Sequence, residues 1–152
     1  AIDMALWDLK GKHFGEPIHR LLGGKRHDKI LAYASILFGK DGSETREIGN
    51  RWKEEGYRAV KFGWEPMGED EKLDRELVAG AREGIGEDST LLIDAGCVWD
   101  ARTALDRAHS FAEHGIGWLE EPLLPERFST FPSRCRAVPL CWFSRSDRGY
   151  DA

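Results

Sequence analysis

The stretch AVKFGW at residues 59–64 is typical of a short apolar strand, and it carries one lysine near its carboxyl end. The pattern returns twice with an acidic residue, in LLIDAG (91–96) and GWLEEP (117–122). The three charged residues are Lys61, Asp94 and Glu120, spaced 33 and 26 residues apart. Each interval has room for one strand, one helix and two loops. The repeat predicts a parallel α/β sheet with charged groups at the edge where its strands end.

The segments between these strands follow the same alternation. An apolar run at 30–36 predicts a first strand, and helical periodicity predicts helices over 43–55, 70–82 and 100–112, the first capped by Ser43 and the last by Asp100. Four strands separated by three helices form about half of a parallel α/β architecture.

Both ends of the chain depart from this pattern. Residues 1–28 open inside a helix and are then broken by glycines, so we expect a helical lead-in from a larger protein. Residues 29–125 are expected to form four β/α units. Residues 126–152 are rich in arginine and lose both periodicities, apart from an apolar run at 137–143, so we expect an atypical tail that is truncated or out of frame.

Composition excludes several classes of protein. The net charge of −5 disfavours nucleic acid as a partner. No apolar run has the length of a membrane span and no signal peptide opens the chain, which predicts a soluble cytoplasmic protein. The three cysteines are odd in number and form no CxxC pair, so they indicate free thiols instead of disulfides or a zinc site.

The two strand-end carboxylates are candidate metal ligands. Asp94 and Glu120 offer oxygen atoms without histidine or cysteine partners, which suits a hard cation such as Mg²⁺. Two carboxylates make a weak site, so a third ligand is expected from a further strand. The other interpretation is that these are solvated loop acids or helix caps. Glu121 is expected to support the site or to form a salt bridge, and Trp64 to line a pocket.

Lys61 has two interpretations. A lysine inside a strand is costly unless its ammonium group reaches water, a carboxylate or a substrate. Burial and a nearby metal would both lower its pKa and suit it to acid–base catalysis. It could equally be a lysine that lines a barrel and pairs with Asp94 or Glu120 for electrostatic reasons alone.

Four stretches in register resemble the mandelate racemase and muconate-lactonizing branch of the enolase superfamily. They are AIDMALWDLKGKHFGEPIHRLLGG (1–24), GYRAVKFGW (56–64), LLIDAGCVWD (91–100) and GWLEEPL (117–123). The resemblance implies about the first half of a TIM-type (β/α)7β barrel, with an α+β capping domain mostly upstream and missing here. It also implies one Mg²⁺ at the barrel mouth, where such proteins remove the proton α to a carboxylate and stabilise an enediolate.

Matched by position, the resemblance makes Asp94 and Glu120 the first two metal ligands. Lys61 falls on the first lysine of a K-x-K element, and Gly63 replaces the second lysine, which is usually the base. Lys61 is therefore expected to orient the substrate carboxylate. Gly96 stands where many relatives have asparagine. The third ligand and the base of the opposite barrel face are expected after residue 125.

The intact parent is expected to be a homo-oligomeric enzyme acting on a small carboxylate, either an acid sugar or a 2-hydroxy acid. Gly63 favours an acid-sugar dehydratase (a lyase) over a racemase or cycloisomerase (an isomerase). Whether this chain is itself an enzyme is left open, because the alternative is a non-catalytic fragment with an incomplete metal site. A doubly wound nucleotide-binding domain is disfavoured, since no glycine-rich phosphate loop follows the first or second strand.

Overall fold

The computed structural model describes residues 2–124 and the backbone of residues 140–141. The chain divides into two compact units, Ala1–Leu31 and Ala32–Ala152. The first unit contains helix α1 (Ile2–Phe14) and the one-turn helix α2 (Ile18–Leu21). No helix within residues 2–124 combines the length and the apolar character that a membrane span requires.

The second unit is a parallel sheet whose strands alternate with helices. Its elements are β1 (Ala34–Leu37), α3 (Gly42–Glu54), β2 (Ala59–Gly63), α4 (Glu71–Ile85), β3 (Thr90–Asp94), α5 (Ala101–Ala112), β4 (Ile116–Glu120) and β5 (Leu140–Cys141). The strands pair in chain order, and every pair is parallel. The predicted parallel α/β sheet is confirmed.

The core lies between the sheet and its helices. Alternate residues of β2, β3 and β4 are fully buried there, namely Val60, Phe62, Leu91, Ile93 and Leu119. The helices cover them with Leu77, Val78, Ala81, Ala104, Ala108 and Phe111. Each large apolar side chain buried in this way contributes about 1.5–3 kcal/mol to folding. The intervening residues of each strand face the other side of the sheet, where the charged side chains lie.

Helices α3, α4 and α5 are each preceded by an N-cap aspartate whose carboxylate accepts a backbone N–H from three residues ahead: Asp41, Asp70 and Asp100. The prediction for Asp100 is confirmed. The prediction for Ser43 is wrong, because α3 already begins at Gly42. Asp41 accepts the Glu44 N–H at 2.9 Å, and the Glu44 carboxylate accepts a backbone N–H just before the helix, at 2.8 Å. This reciprocal pairing satisfies backbone donors that the helix leaves free.

The first and last strands differ from their predicted limits. Strand β1 begins only at Ala34, where pairing with β2 starts, whereas Ile30 and Leu31 are exposed. The predicted strand was therefore wrong over 30–33. Strand β5 falls within the apolar run of the predicted tail and pairs with the carboxyl half of β4. The rest of that tail lies outside the described residues.

An arginine ties together the loops at the amino ends of the strands. The guanidinium group of Arg82 on α4 donates hydrogen bonds to the carbonyl oxygens of Gly86, Ser89, His114 and Gly115, at 2.8–3.0 Å. Arg82 is buried, and these carbonyls accept hydrogen bonds from four of its five N–H donors. The turns that lead into β3 and β4 are thereby joined to one helix.

Helices α3 and α4 approach each other through glycines. Gly80 lies against the backbone of Gly42, and Gly84 lies against the backbone of Arg46. A Cβ atom at Gly80 or Gly84 would overlap a carbonyl oxygen of α3. The contact therefore requires glycine on α4 at both positions, one turn apart.

We expect Gly80→Ala to lower the free energy of unfolding by about 2 kcal/mol, since overpacking forces the two backbones apart. Alanine would otherwise favour a helix interior by about 1 kcal/mol. Urea unfolding followed by circular dichroism measures the change. Asn50→Ala, at an exposed position of α3, is the matched control and should change stability little. Equal stability of Gly80→Ala and the parent chain would contradict the close contact.

Candidate active site

On the face of the sheet away from the helices, the strand residues lie in two rows. The inner row is Ser35, Lys61, Leu92 and Trp118, and the row at the carboxyl rim is Leu37, Gly63, Asp94 and Glu120. Because residues in register lie side by side, Asp94 and Glu120 are neighbours at the rim. Lys61 lies one pleat deeper on the adjacent strand, on the same face.

The structure brings the three predicted residues together. The Lys61 Nζ atom lies 3.1 Å from Asp94 Oδ2 and 2.9 Å from Glu120 Oε2. The three side chains are only 11%, 10% and 9% exposed. These are charge-assisted hydrogen bonds in a partly desolvated setting, where such interactions are stronger than at a free surface.

Two further donors orient the carboxylates. The Gly96 N–H donates to Asp94 Oδ1 at 3.1 Å, and the Trp118 indole N–H donates to Glu120 Oε2 at 3.3 Å. Sequence reasoning treated Trp118 only as a strand residue. Its spacing of two from Glu120 was the available signal, since residues i and i+2 share one face of a strand.

The charges of the cluster do not cancel, because two carboxylates meet a single ammonium group. Burial by itself lowers the pKa of Lys61, but the hydrogen bonds to Glu120 and Asp94 and the charges of these two groups outweigh it and raise the pKa above its ordinary value. The protein's own groups therefore shift this pKa in the direction opposite to that expected for a base. Lys61 is a protonated counter-ion here.

The donor set of the site fits Mg²⁺ in part. Asp94 and Glu120 supply oxygen atoms from adjacent strands, and their excess negative charge complements a hard divalent cation. Within residues 2–124 no third acidic, histidine or cysteine side chain completes a metal-binding group. The third ligand predicted after residue 125 lies outside the described residues.

Gly63 stands where the resemblance places the second lysine of the K-x-K element, and the structure leaves no room for a side chain there. A Cβ atom at position 63 would lie 2.8 Å from the Cβ atom and 3.0 Å from the carbonyl oxygen of Asp94. Real side chains do not approach this closely. Glycine at this position therefore allows the backbone of Asp94 to stand where it does.

Two cavities adjoin at the rim. The larger, of about 550 Å³, is lined by Leu37, Trp64, Glu65, Gly96, Val98 and Glu121. The smaller, of about 250 Å³, shares Leu37 and Trp64 and includes Lys61, Gly63 and Asp94. The structure thus places both Trp64 and Glu121 beside the charged cluster. No salt bridge joins Glu121 to another residue within 2–124.

A parallel β/α sheet whose strands pair in chain order, with carboxylates at its carboxyl rim, is typical of the TIM-barrel class. The family described as "Enolase C-terminal domain-like" matches residues 44–142, and the "Mandelate racemase / muconate lactonizing enzyme, N-terminal domain" family matches residues 1–23. The chain belongs to the mandelate racemase and muconate-lactonizing branch of the enolase superfamily. The family match extends to residue 142, into the segment that was predicted to be an atypical tail.

Known proteins of this family cover most of the chain. It is 40% identical to D-galactarolactone cycloisomerase of Agrobacterium fabrum, over 90% of this chain and 36% of that protein. A predicted mandelate racemase from Rhodobacter sphaeroides has a TM-score of 0.81 at 34% identity, over 93% of this chain and 38% of that one. D-glucarate dehydratase from Agrobacterium tumefaciens, complexed with magnesium, has a TM-score of 0.74 at 31% identity. The match covers 85% of this chain and 36% of that one.

These comparisons confirm the partial TIM barrel and the family. The chain spans little more than a third of the length of each of these relatives. The relatives include enzymes that act on acid sugars, and solved neighbours contain magnesium.

We expect Lys61→Met to destabilise the chain by about 3 kcal/mol, because it leaves two carboxylates side by side with no partner. Mg²⁺ should restore part of this loss, since a ligand that binds only the folded state stabilises it. Thermal unfolding with and without Mg²⁺ measures both effects. Lys72→Met removes an exposed lysine 3.6 Å from Glu76 and should have little effect. An unchanged melting temperature for Lys61→Met would contradict the role of Lys61 as counter-ion.

Proposed function

We propose that this rim forms part of the active site of a Mg²⁺-dependent enzyme that removes the proton α to the carboxylate of an acid sugar. Dehydration is favoured over racemisation or cycloisomerisation. The observation that supports the proposal is the placement of Lys61 between Asp94 and Glu120 at the carboxyl ends of three strands. A cytoplasmic location, a homo-oligomeric parent and domain limits near residues 28 and 125 are proposed with it.

Asp94 and Glu120 would hold the metal through carboxylate oxygens. Their orientation is already set by the Gly96 N–H and the Trp118 indole, so little ordering remains when a cation binds. When bound, Mg²⁺ would neutralise the negative charge that develops on the substrate carboxylate as the α proton leaves.

Lys61 would orient the substrate carboxylate. Its ammonium group has three donors, and two already bind carboxylates, which leaves one for a substrate oxygen. Its raised pKa keeps it protonated, which suits a hydrogen-bond donor better than a base.

Dehydration is favoured because the side chain that usually acts as base is missing at Gly63. A base on the opposite face of the barrel, outside the described residues, would then remove the α proton. The same base would then return a proton to the β-hydroxyl, the C–O bond would break with release of water, and the enol that forms would tautomerise to a 2-keto-3-deoxy acid. In this reaction a second base next to Lys61 is not needed.

The second candidate function is a non-catalytic fragment with an incomplete metal site. The observation that favours it is that, within residues 2–124, no third side chain joins Asp94 and Glu120 to form a metal-binding group. The two candidates differ in metal binding, because a fragment without the third ligand holds Mg²⁺ only weakly.

Calorimetric titration of the chain with Mg²⁺ is expected to show a dissociation constant below about 1 mM, which corresponds to about 4 kcal/mol of binding free energy. Asp94→Asn should weaken binding by at least about tenfold, since even residues that only support a metal ligand contribute about 10–100-fold. Asp106→Asn, an exposed acid on α5, should bind like the parent. No binding heat, together with broad unfolding, would favour the fragment.

Incubation with Mg²⁺ and a panel of acid sugars is expected to release a 2-keto-3-deoxy acid from at least one of them. The product is detected by the absorbance of its semicarbazone. Asp94→Asn should abolish the reaction and Asp106→Asn should retain it. Racemisation of a 2-hydroxy acid such as mandelate, without elimination from any member of the panel, would show that the preference for dehydration is wrong.

A further inference from the structure

Three residues with unusual backbone geometry cluster at the carboxyl ends of the strands. Among the described residues, the non-glycine residues with positive φ are Trp64 (70°), Cys97 (66°) and Glu121 (44°). Trp64 directly follows β2, Glu121 directly follows β4, and Cys97 lies three residues after β3. This conformation is unfavourable for residues with a side chain, and such strain persists mainly at functional loops.

The backbone of Trp64 is held on both sides. Its N–H donates to the carbonyl oxygen of Asp94 at 3.1 Å, and its own carbonyl oxygen accepts the N–H of Met67 at 3.1 Å. Met67 is buried in the core, yet Trp64 itself is 61% exposed. The backbone of Trp64 is thus fixed next to a candidate metal ligand, and its indole is open to a ligand.

The loop that carries Trp64 is anchored a second time. The Gly68 N–H donates to the Asp74 carboxylate at 2.6 Å, and the same carboxylate accepts a hydrogen bond from Arg107 at 2.8 Å. Asp74 is fully buried, so this ion pair is a rigid support. A Cβ atom at Gly68 would lie 2.7 Å from a methyl group of Val98, so glycine lets the loop rest on Val98. Val98 and Trp64 line the same cavity.

Gly96 leaves space beside the indole. A Cβ atom at this position would lie 3.4 Å from Cδ1 of Trp64, which is van der Waals contact, so a longer side chain would compete with the ring.

The chemistry of the larger cavity is apolar and acidic. Leu37, Trp64 and Val98 supply apolar surface, and Glu65 and Glu121 supply carboxylates. The described residues that line the cavity include no lysine, arginine or histidine. Its volume of about 550 Å³ suits a small ligand. Such a cavity can pack C–H groups on an aromatic face and accept hydrogen bonds from hydroxyls, but it repels an anion.

We infer that this cavity binds the end of a sugar acid that lies away from the reacting carboxylate, and that it selects an uncharged hydroxymethyl end over a second carboxylate. The substrate class is then the aldonic acids, with one carboxylate, instead of the aldaric acids, with two. The inference rests on the proposed function, because the cavity adjoins the cluster that would bind the reacting end.

The test compares D-gluconate with D-glucarate, which share a six-carbon chain and differ in having a hydroxymethyl group or a carboxylate at one end. Titration calorimetry of the 152-residue chain at saturating Mg²⁺ measures both affinities, after Mg²⁺ binding itself has been measured. Gluconate should bind more tightly by about tenfold or more, because a second carboxylate would meet two like charges.

Substitutions of the residues that line the cavity identify the cause of the selectivity. Glu121→Gln and Glu65→Gln should each reduce the preference for gluconate by raising the affinity for glucarate. Trp64→Ala should weaken gluconate binding about two- to tenfold, the range of a well-packed aromatic contact. Glu69→Gln makes the same charge change in the same loop without lining the cavity, and it should leave both affinities unchanged.

The possible failures are distinguishable. If glucarate binds as tightly as gluconate, or if Glu121→Gln and Glu65→Gln change the ratio no more than Glu69→Gln, the selectivity is wrong while the proposed function stands. If Mg²⁺ binds but neither acid does, the cavity is not a sugar-acid subsite. If Mg²⁺ does not bind, the proposed function fails and the inference fails with it.

Discussion

The interaction on which the rim depends is the pairing of one ammonium group with two carboxylates. Parallel register makes Asp94 and Glu120 neighbours, and their like charges repel each other in this partly buried site. The Lys61 ammonium, supplied by the preceding strand, offsets this repulsion. The sheet can therefore hold two carboxylates side by side at that edge.

Much of this arrangement could be predicted from the sequence because each charged residue stands at the end of an apolar run. A run that is apolar on both faces identifies a buried parallel strand, and the single charge in it is tolerated only where the strand reaches the rim. That reasoning located Lys61, Asp94 and Glu120. It was less accurate at β1, because the apolar residues Ile30 and Leu31 precede the point where a partner strand begins. It also misplaced a helix cap, since Asp41 and Ser43 are both good acceptors and only the backbone decides between them.

The walls of the site were harder to predict. Trp64 and Glu121 were singled out, but the direction of each depends on a left-handed backbone that no local sequence pattern reveals in a residue other than glycine. The residues around the larger cavity come from several strand-end loops, so no stretch of sequence contains the set. The ion pair between Asp74 and Arg107 could not be predicted either. In the sequence each residue resembles an ordinary surface charge on its helix, and only the packing of the two helices shows that they pair and are buried.

The amino and carboxyl ends of the strands are stabilised by different kinds of contact. At the amino ends of the strands, the Arg82 guanidinium group binds carbonyl oxygens, which every residue type possesses. Substitutions in those turns leave the acceptors in place, whereas at the carboxyl ends both partners of the Lys61 ion pairs are side chains. The turns that Arg82 joins can therefore change in sequence without losing these hydrogen bonds, whereas a change of Lys61, Asp94 or Glu120 alters the charged cluster directly.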